Sequence, residues 1–211
     1  MLFVLTGSSG AGKTAVLARL APLVDDLALH DFDEVGVPPD ADRRWRQEAT
    51  EDWVRHALRE QANGQDTLVA GQSPLGEWLA VPSATDLNGI AACLLDVGEA
   101  ERAARLDERW SRGSPGRDHA DALFNWARWH RAHAADPQWR QEVIREEAWE
   151  AMEWTRWDRW KAGEPRWDVL TLATTDVDLD ETARSLVDWI AGRRRLLRAG
   201  RLPLSGEWWR R

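Results

Sequence analysis

Eight consecutive residues near the start, Gly7-Ser8-Ser9-Gly10-Ala11-Gly12-Lys13-Thr14, have the makings of a phosphate site. They match G-x-x-x-x-G-K-[ST] at every position, a match expected by chance on the order of 1% of the time in a chain this long. Backbone N–H groups of such a loop wrap phosphates, and the dipole of the helix that follows adds positive potential. All eight residues are therefore candidate nucleotide ligands. Lys13 is expected to reach the β- and γ-phosphates, and the Thr14 hydroxyl to ligate Mg²⁺. Only Lys13 and Lys161 are lysine among 28 basic residues. A chain that otherwise writes Arg keeps Lys inside the loop, where a compact ammonium fits between phosphate oxygens and a planar guanidinium does not.

A second group is Asp31-x-Asp33, after an apolar run. In an open α/β sheet, ligands sit at the carboxyl ends of strands, so both carboxylates are expected near the γ-phosphate. Continued extended geometry would put them on the same side. One would hold Mg²⁺ and the other would accept a proton from an attacking hydroxyl. A third group is Arg102-x-x-Arg105-x-x-x-Arg109, whose spacing allows one helix face. Glu99, Glu101, Asp107 and Glu108 interleave with these arginines, so a solvated face is the competing reading. Arg105 and Arg109 are the favoured catalytic candidates, with Arg117 in the following loop as a weaker one. Arg44, Arg46, Gln72 and Glu77, with Asp33, are candidates for binding a polar acceptor.

The elements that must position these groups follow from hydrophobic patterning. Apolar runs at 2–5, 27–30, 67–70, 90–96 and 167–172 read as strands, and helical spacing links most of them. The predicted fold is α/β, with a five-stranded parallel sheet and right-handed crossovers. The segment 111–165 interrupts this alternation. It is Trp-rich, opens at Gly113-Ser114-Pro115-Gly116 and closes at Gly163-Glu164-Pro165, and is expected to be a helical insertion acting as a mobile lid. Its stripes, Trp126, Trp129 and His133, then Trp154, Trp157 and Lys161, read as packing faces. Residues 193–211 read as a basic helix end and loose tail, so that 1–211 forms one domain.

The order loop, helix, strand, Asp-x-Asp resembles the P-loop small-molecule kinases, notably shikimate kinase and chloramphenicol phosphotransferase. That resemblance implies a P-loop three-layer sandwich with sheet order 2-3-1-4-5 and a helical lid. It implies ATP and Mg²⁺ as cofactors and transfer of the γ-phosphoryl group to a hydroxyl. It places Asp31 on the metal, Asp33 as base, lid arginines over the phosphates, and Thr175 at the adenine; helix-entry capping is the alternative for Thr175. The third strand ends Gly71-Gln72-Ser73-Pro74, without the glycine run that contacts shikimate, so shikimate itself is not the expected acceptor. An antibiotic or other specialised metabolite is expected, with a nucleoside or nucleotide as the other possibility.

The remaining sequence narrows the field. Leu94-Leu95-Asp96 offers a motor-type acidic residue, but no second acidic residue follows it, and Asn-Lys-x-Asp is absent. A nucleotide switch whose insertion is read by a partner remains the rival class. A net charge of −8 argues against nucleic acid as a partner. There is no signal-like or membrane-length apolar run, so a cytoplasmic protein without membrane contact is expected. Cys93 lies in an apolar strand and reads as inert core; the five histidines show no metal-ligand spacing.

Overall fold

The computed structural model describes residues 1–114 and 117–210; Pro115 and Gly116 of the predicted loop, and Arg211, lie outside the described residues. Five parallel strands form one sheet: β1 (Leu2–Thr6), β2 (Leu27–Asp31), β3 (Asp66–Gly71), β4 (Ile90–Asp96) and β5 (Val169–Ala173). Their order is β2-β3-β1-β4-β5, as the resemblance implied. The registers pair Asp31 with Ala70, and Thr6 with Gly71 and Leu94, so the carboxyl ends of β2, β3, β1 and β4 finish level. Chain direction reverses in the sheet order at β1, and the crevice at such a switch point is where α/β folds bind ligands.

Alternation along β1 feeds two cores. Phe3 and Leu5 face α1 (Lys13–Leu20) and α7 (Leu179–Arg198), packing with Val16, Leu186 and Ile190. Leu2 and Val4 face the opposite layer, which holds α2 (Arg43–Ala62), α3 (Leu75–Ala80) and much of the Trp-rich segment. Asp42 caps α2 by accepting from Trp45 N at 2.8 Å, which fixes where the acceptor-side helix begins. After β4 comes α4 (Glu99–Ser111), carrying the arginine series.

The insertion is helical only in part. α5 (Ala120–Ala135) is followed by chain with little regular structure, apart from the single turn α6 (Glu142–Arg145) and a 3₁₀ turn at Trp154–Arg156. Indole N–H groups tie this chain to its neighbours by donating to backbone carbonyls, two of them on α3 and α5. Trp129 donates to Arg140 O at 3.0 Å, Trp157 to Gly76 O at 2.9 Å, and Trp167 to His133 O at 3.1 Å. Only glycine fits at 76, because a Cβ would stand 2.6 Å from the Trp157 ring. Trp157 is fully buried and Trp129, Trp160 and Trp167 nearly so. Most of the segment packs into the core through these rings, so motion of the expected lid as a whole would expose them.

The expected loose tail is corrected as well. Helix α7 continues to Arg198, Leu204 O accepts from Ile90 N at 2.9 Å, and Leu202, Leu204 and Trp208 are buried. The apolar residues among its arginines cover the amino end of β4, where Ser205 also bridges to Gly89. Among the described residues, no helix is long and apolar enough to cross a membrane.

Candidate active site

The loop that leaves β1 turns back on itself before α1 starts. Gly7 has a φ of 153°, and a Cβ there would lie 2.7 Å from Leu95 O, so β4 forbids any side chain. Lys13 Nζ donates to Gly7 O at 2.6 Å and Ser8 O at 3.3 Å, holding the ammonium over the loop. Burial holds Lys13 down at about 8, against the opposing pull of Asp31 and Asp33. A cleft of about 340 Å³ opens here. Ser9, Gly10, Gly12, Lys13 and Thr14 line it, whereas Gly7, Ser8 and Ala11 do not and serve as the loop's frame.

The two aspartates meet the cleft by a different route from the expected strand alternation. β2 stops at Asp31, and Phe32–Val35 forms a 3₁₀ turn capped by Asp31, whose Oδ1 accepts from Asp33 N at 3.2 Å. Glu34 Oε1 returns to Asp31 N at 2.9 Å, completing a capping box. Phe32 is buried under Gly71, and both carboxylates line the cleft. Thr14 Oγ1 donates to Asp31 Oδ2 at 2.9 Å. This pair of hard oxygen donors fits Mg²⁺, which takes one or two protein oxygens and keeps its remaining sites for water and phosphate. Among the described residues no group of three His, Cys, Asp or Glu side chains forms a metal site. The Asp33 carboxylate carries no hydrogen bond among the described residues. Burial and the neighbouring Asp31 raise it above the usual aspartate value, with Lys13 and Arg109 opposing.

The arginines divide by task. Arg102 is buried beneath the loop, hydrogen-bonded to Ser8 Oγ and to Ser9 O, the latter at 2.6 Å, so it is a structural support. Arg105 lines the cleft but is tied to Glu101, Gly10 O (3.2 Å) and Thr174 O (3.3 Å). Arg109 lines the cleft with no ion pair or hydrogen bond among the described residues. Arg117 is exposed against Asp107 and the Trp110 ring, away from the cleft. Asp96 is clamped by Arg131 in a two-point pair and lies 3.7 Å from Arg102, so it holds elements together.

Three of the expected acceptor or cofactor residues do not line the cleft. Arg44 is half exposed on α2 and pairs with Glu48 and Glu150, outside the cleft. Glu77 is fully buried, receiving Arg46 at 2.9 and 2.7 Å and Gln47 at 3.2 Å; it orients Arg46 from behind the wall. Thr175 Oγ1 accepts from Gly98 N at 2.7 Å, fastening the loop before α4, and does not line the cleft. Arg46 and Gln72 do line it.

The structure adds residues the sequence did not single out. Trp45 lines the cleft, and with Asp33, Arg46 and Gln72 it also borders an adjoining cavity of about 540 Å³ bounded by Trp126 and Val143. This cavity lies on the acceptor side. Behind both, Thr6 Oγ1 donates to Ser73 O at 2.9 Å and so takes the N–H of His130 Nε2 at 3.0 Å. His130 is buried and neutral, pushed well below the usual range by burial, then by His133 and Lys13. Ser73 Oγ meets Thr50 Oγ1 at 3.0 Å, which donates to Arg46 O at 2.7 Å. This chain joins the strand before the loop to the acceptor wall. Nothing in the spacing of His130 announced it, because its partner Thr6 lies 124 positions away along the sequence, and Thr6 and Ser73 are 67 apart.

The chain matches no protein-family profile and no curated protein sequence. Among solved structures it is similar to a protein from Chloroflexus aurantiacus assigned as a kinase, at 17% identity and a TM-score of 0.50, covering 90% of this chain and 96% of that one. A sugar kinase from Janibacter sp. HTCC2649 is similar at 14% identity and a TM-score of 0.48, over 89% of this chain and 94% of that one. Shikimate kinase from Acinetobacter baumannii, in complex with shikimate, is similar at 17% identity and a TM-score of 0.45, over 90% and 93%. With the sheet order and the loop after β1, the fold is that of the P-loop small-molecule kinases.

Proposed function

We propose that the protein is an ATP- and Mg²⁺-dependent kinase that phosphorylates a hydroxyl of an uncharged small molecule. One observation carries this reading: a single cleft is shared by two carboxylates with different surroundings. Asp31 is bonded to Thr14 on the loop side, while Asp33 offers an unbonded carboxylate to the wall shared with the acceptor cavity. Asp33 takes the proton of the acceptor hydroxyl as its oxygen bonds to the γ-phosphorus and the bond to the β-phosphate breaks. Lys13 and Arg109 stabilise charge on the oxygens of the transferring group. Thr14 and Asp31 would hold Mg²⁺, whose chemistry there would be added positive charge beside the phosphates.

The committed state of the acceptor-side arginines supports an uncharged acceptor. Of the two arginines bordering the cavity, Arg46 is neutralised by Glu77 and Arg43 stands alone, which leaves no paired fork there for an acceptor phosphate. An antibiotic or other specialised metabolite fits this description better than a nucleotide. The rival, a hydrolytic switch, finds less support, because Asp96 is engaged by arginines and has no acidic partner beside it.

The test is an ATP-dependent mass gain of one phosphoryl group across a metabolite panel, with Lys13→Ala in parallel. Wild type is expected to label an acceptor and the variant to lose both nucleotide binding and labelling. Equal labelling by Lys13→Ala would overturn the assignment of the loop.

A further inference from the structure

A second cavity adjoins the acceptor cavity. Trp126 and Val143 border both, and the second, of about 640 Å³, is walled by Trp129, Ala132, Trp139 and Arg140. Trp139 is 48% exposed, one of few large apolar side chains left open to solvent. Trp126 is held rigidly between the two cavities. It stacks on Trp129 with centroids 4.7 Å apart and planes 11° apart, and the Arg46 guanidinium sits 5.0 Å from its ring centre. Trp129 in turn stacks on His133 at 4.5 Å. A wall fixed this way loses little freedom when a ligand lies against it.

Much of the charge at these walls is paired, though not that of Arg43 or Asp33. Arg46 pairs with Glu77, Arg128 takes Glu99 through two bonds of 2.7 Å, and Arg140 pairs with Glu142 at 3.2 Å. Arg43 is turned onto the Glu146 carbonyl. Asp42 is occupied as the cap of α2. Trp126 is covered by Trp129 and Arg46 and offers its edge, so the indoles left to present a face are Trp45 and Trp139, with the Gln72 amide beside them. Each cavity alone is the size of a site for a drug-sized ligand, roughly 300–1,000 Å³. A one-ring polyol would leave most of the first cavity and all of the second empty.

We propose that the acceptor is a large, uncharged, hydroxylated molecule of several rings, whose far end lies against Trp126 and Trp139. The kinase reading enters only in which end is phosphorylated, the hydroxyl beside Asp33. Flat or puckered rings with apolar faces stack on indoles, and hydroxyls at their edges meet Gln72 and backbone groups. Glycosides of steroid, flavonoid or polyketide cores have this chemistry.

The experiment uses full-length protein labelled with 5-fluorotryptophan, with the Trp126 and Trp139 fluorine signals assigned from Trp126→Phe and Trp139→Phe. The probes are a panel of neutral steroid, flavonoid and polyketide glycosides, with methyl β-glucoside and digitoxose as one-ring counterparts and AMP as a charged one. A non-hydrolysable ATP analogue and Mg²⁺ are present throughout. The expected result is that multi-ring probes bind and shift both signals. Trp139→Ala should weaken their binding by roughly tenfold, the upper range for one lost aromatic contact, without changing affinity for the ATP analogue. Trp139 is half exposed and its backbone carbonyl, which faces His133 Nδ1, survives the change, so the variant should fold. The inference is overturned if only one-ring or charged probes bind, if bound multi-ring probes leave Trp139 unshifted, or if none of the panel binds. Probes that shift both signals yet never gain a phosphoryl group from ATP would keep the inference and remove the kinase reading.

Discussion

Thr14 Oγ1 donates to Asp31 at 2.9 Å, while the Asp33 carboxylate two positions on accepts no hydrogen bond among the described residues. That difference separates their expected phenotypes. Asp33→Asn keeps the shape but cannot accept a proton, so it should retain ATP binding and lose phosphoryl transfer by about 10²–10⁴-fold. Asp31→Asn weakens the oxygen pair offered to Mg²⁺ and should raise the Mg²⁺ concentration needed for half-maximal turnover. A Mg²⁺ titration of both variants at saturating acceptor tells them apart. Rescue of Asp33→Asn by excess Mg²⁺, with no rescue of Asp31→Asn, would reverse the roles. The identity of both residues was readable from the sequence, because their distance from the loop is short in chain and in space. Glu77 was misread for the opposite reason: α3 turns it inward, and its burial against Arg46 exists only in the fold.

At the scale of an element, α5 places His130 and His133 under the site, both buried. Burial holds His133 down at about 4, with the Trp139 carbonyl and Asp136 opposing. Trp129, Trp157 and Trp167 pack around its ring, and Asp136 supplies a nearby charge. The folded value lies below the unfolded one of 6.5, so the folded state resists protonation. Stability is therefore full above pH 6.5 and is lost as pH falls from 6.5 toward 4; the difference is worth roughly 3 kcal/mol. His130 acts in the same direction. Urea unfolding at pH 7.5 and pH 5 should show the loss, and His133→Phe should reduce the difference between the two pH values. An unchanged difference in that variant would place the acid sensitivity elsewhere. Helix α5 itself was expected from Trp126, Trp129 and His133 at helical spacing, whereas the irregular chain after it was not. Its structure depends on indole-to-carbonyl bonds between residues far apart, which periodicity does not encode.

For the whole molecule, the question is which part responds to ligands. The Trp-rich segment is anchored by Trp157 on Gly76, by Trp167 on α5, and by Arg156 on the carbonyls of Leu79, Val81 and Pro82. Helix α4 instead presents Arg105 and Arg109 to the cleft and has an exposed outer face. With an ATP analogue and Mg²⁺ bound, amide hydrogen exchange should slow in the loop and in Glu99–Ser111, with little change around Trp157 and Trp167. Large protection across 136–168 with nucleotide alone would restore a moving lid for that segment.

The phosphate loop, the parallel sheet and the place of the two aspartates were legible along the chain. Each is encoded locally: a complete eight-residue pattern, apolar runs of strand length, and a turn directly after a strand. Only the tertiary structure decided which arginine is uncommitted, that Thr175 fastens α4, that Arg44 faces away, and that the chain end is packed. These depend on ion pairs and burial between residues tens of positions apart, and a charged side chain's partner is chosen by the fold. The acceptor groove belongs to the same class: Trp45, Trp126 and Trp139 come together because α2, α5 and the chain after α5 pack against one another.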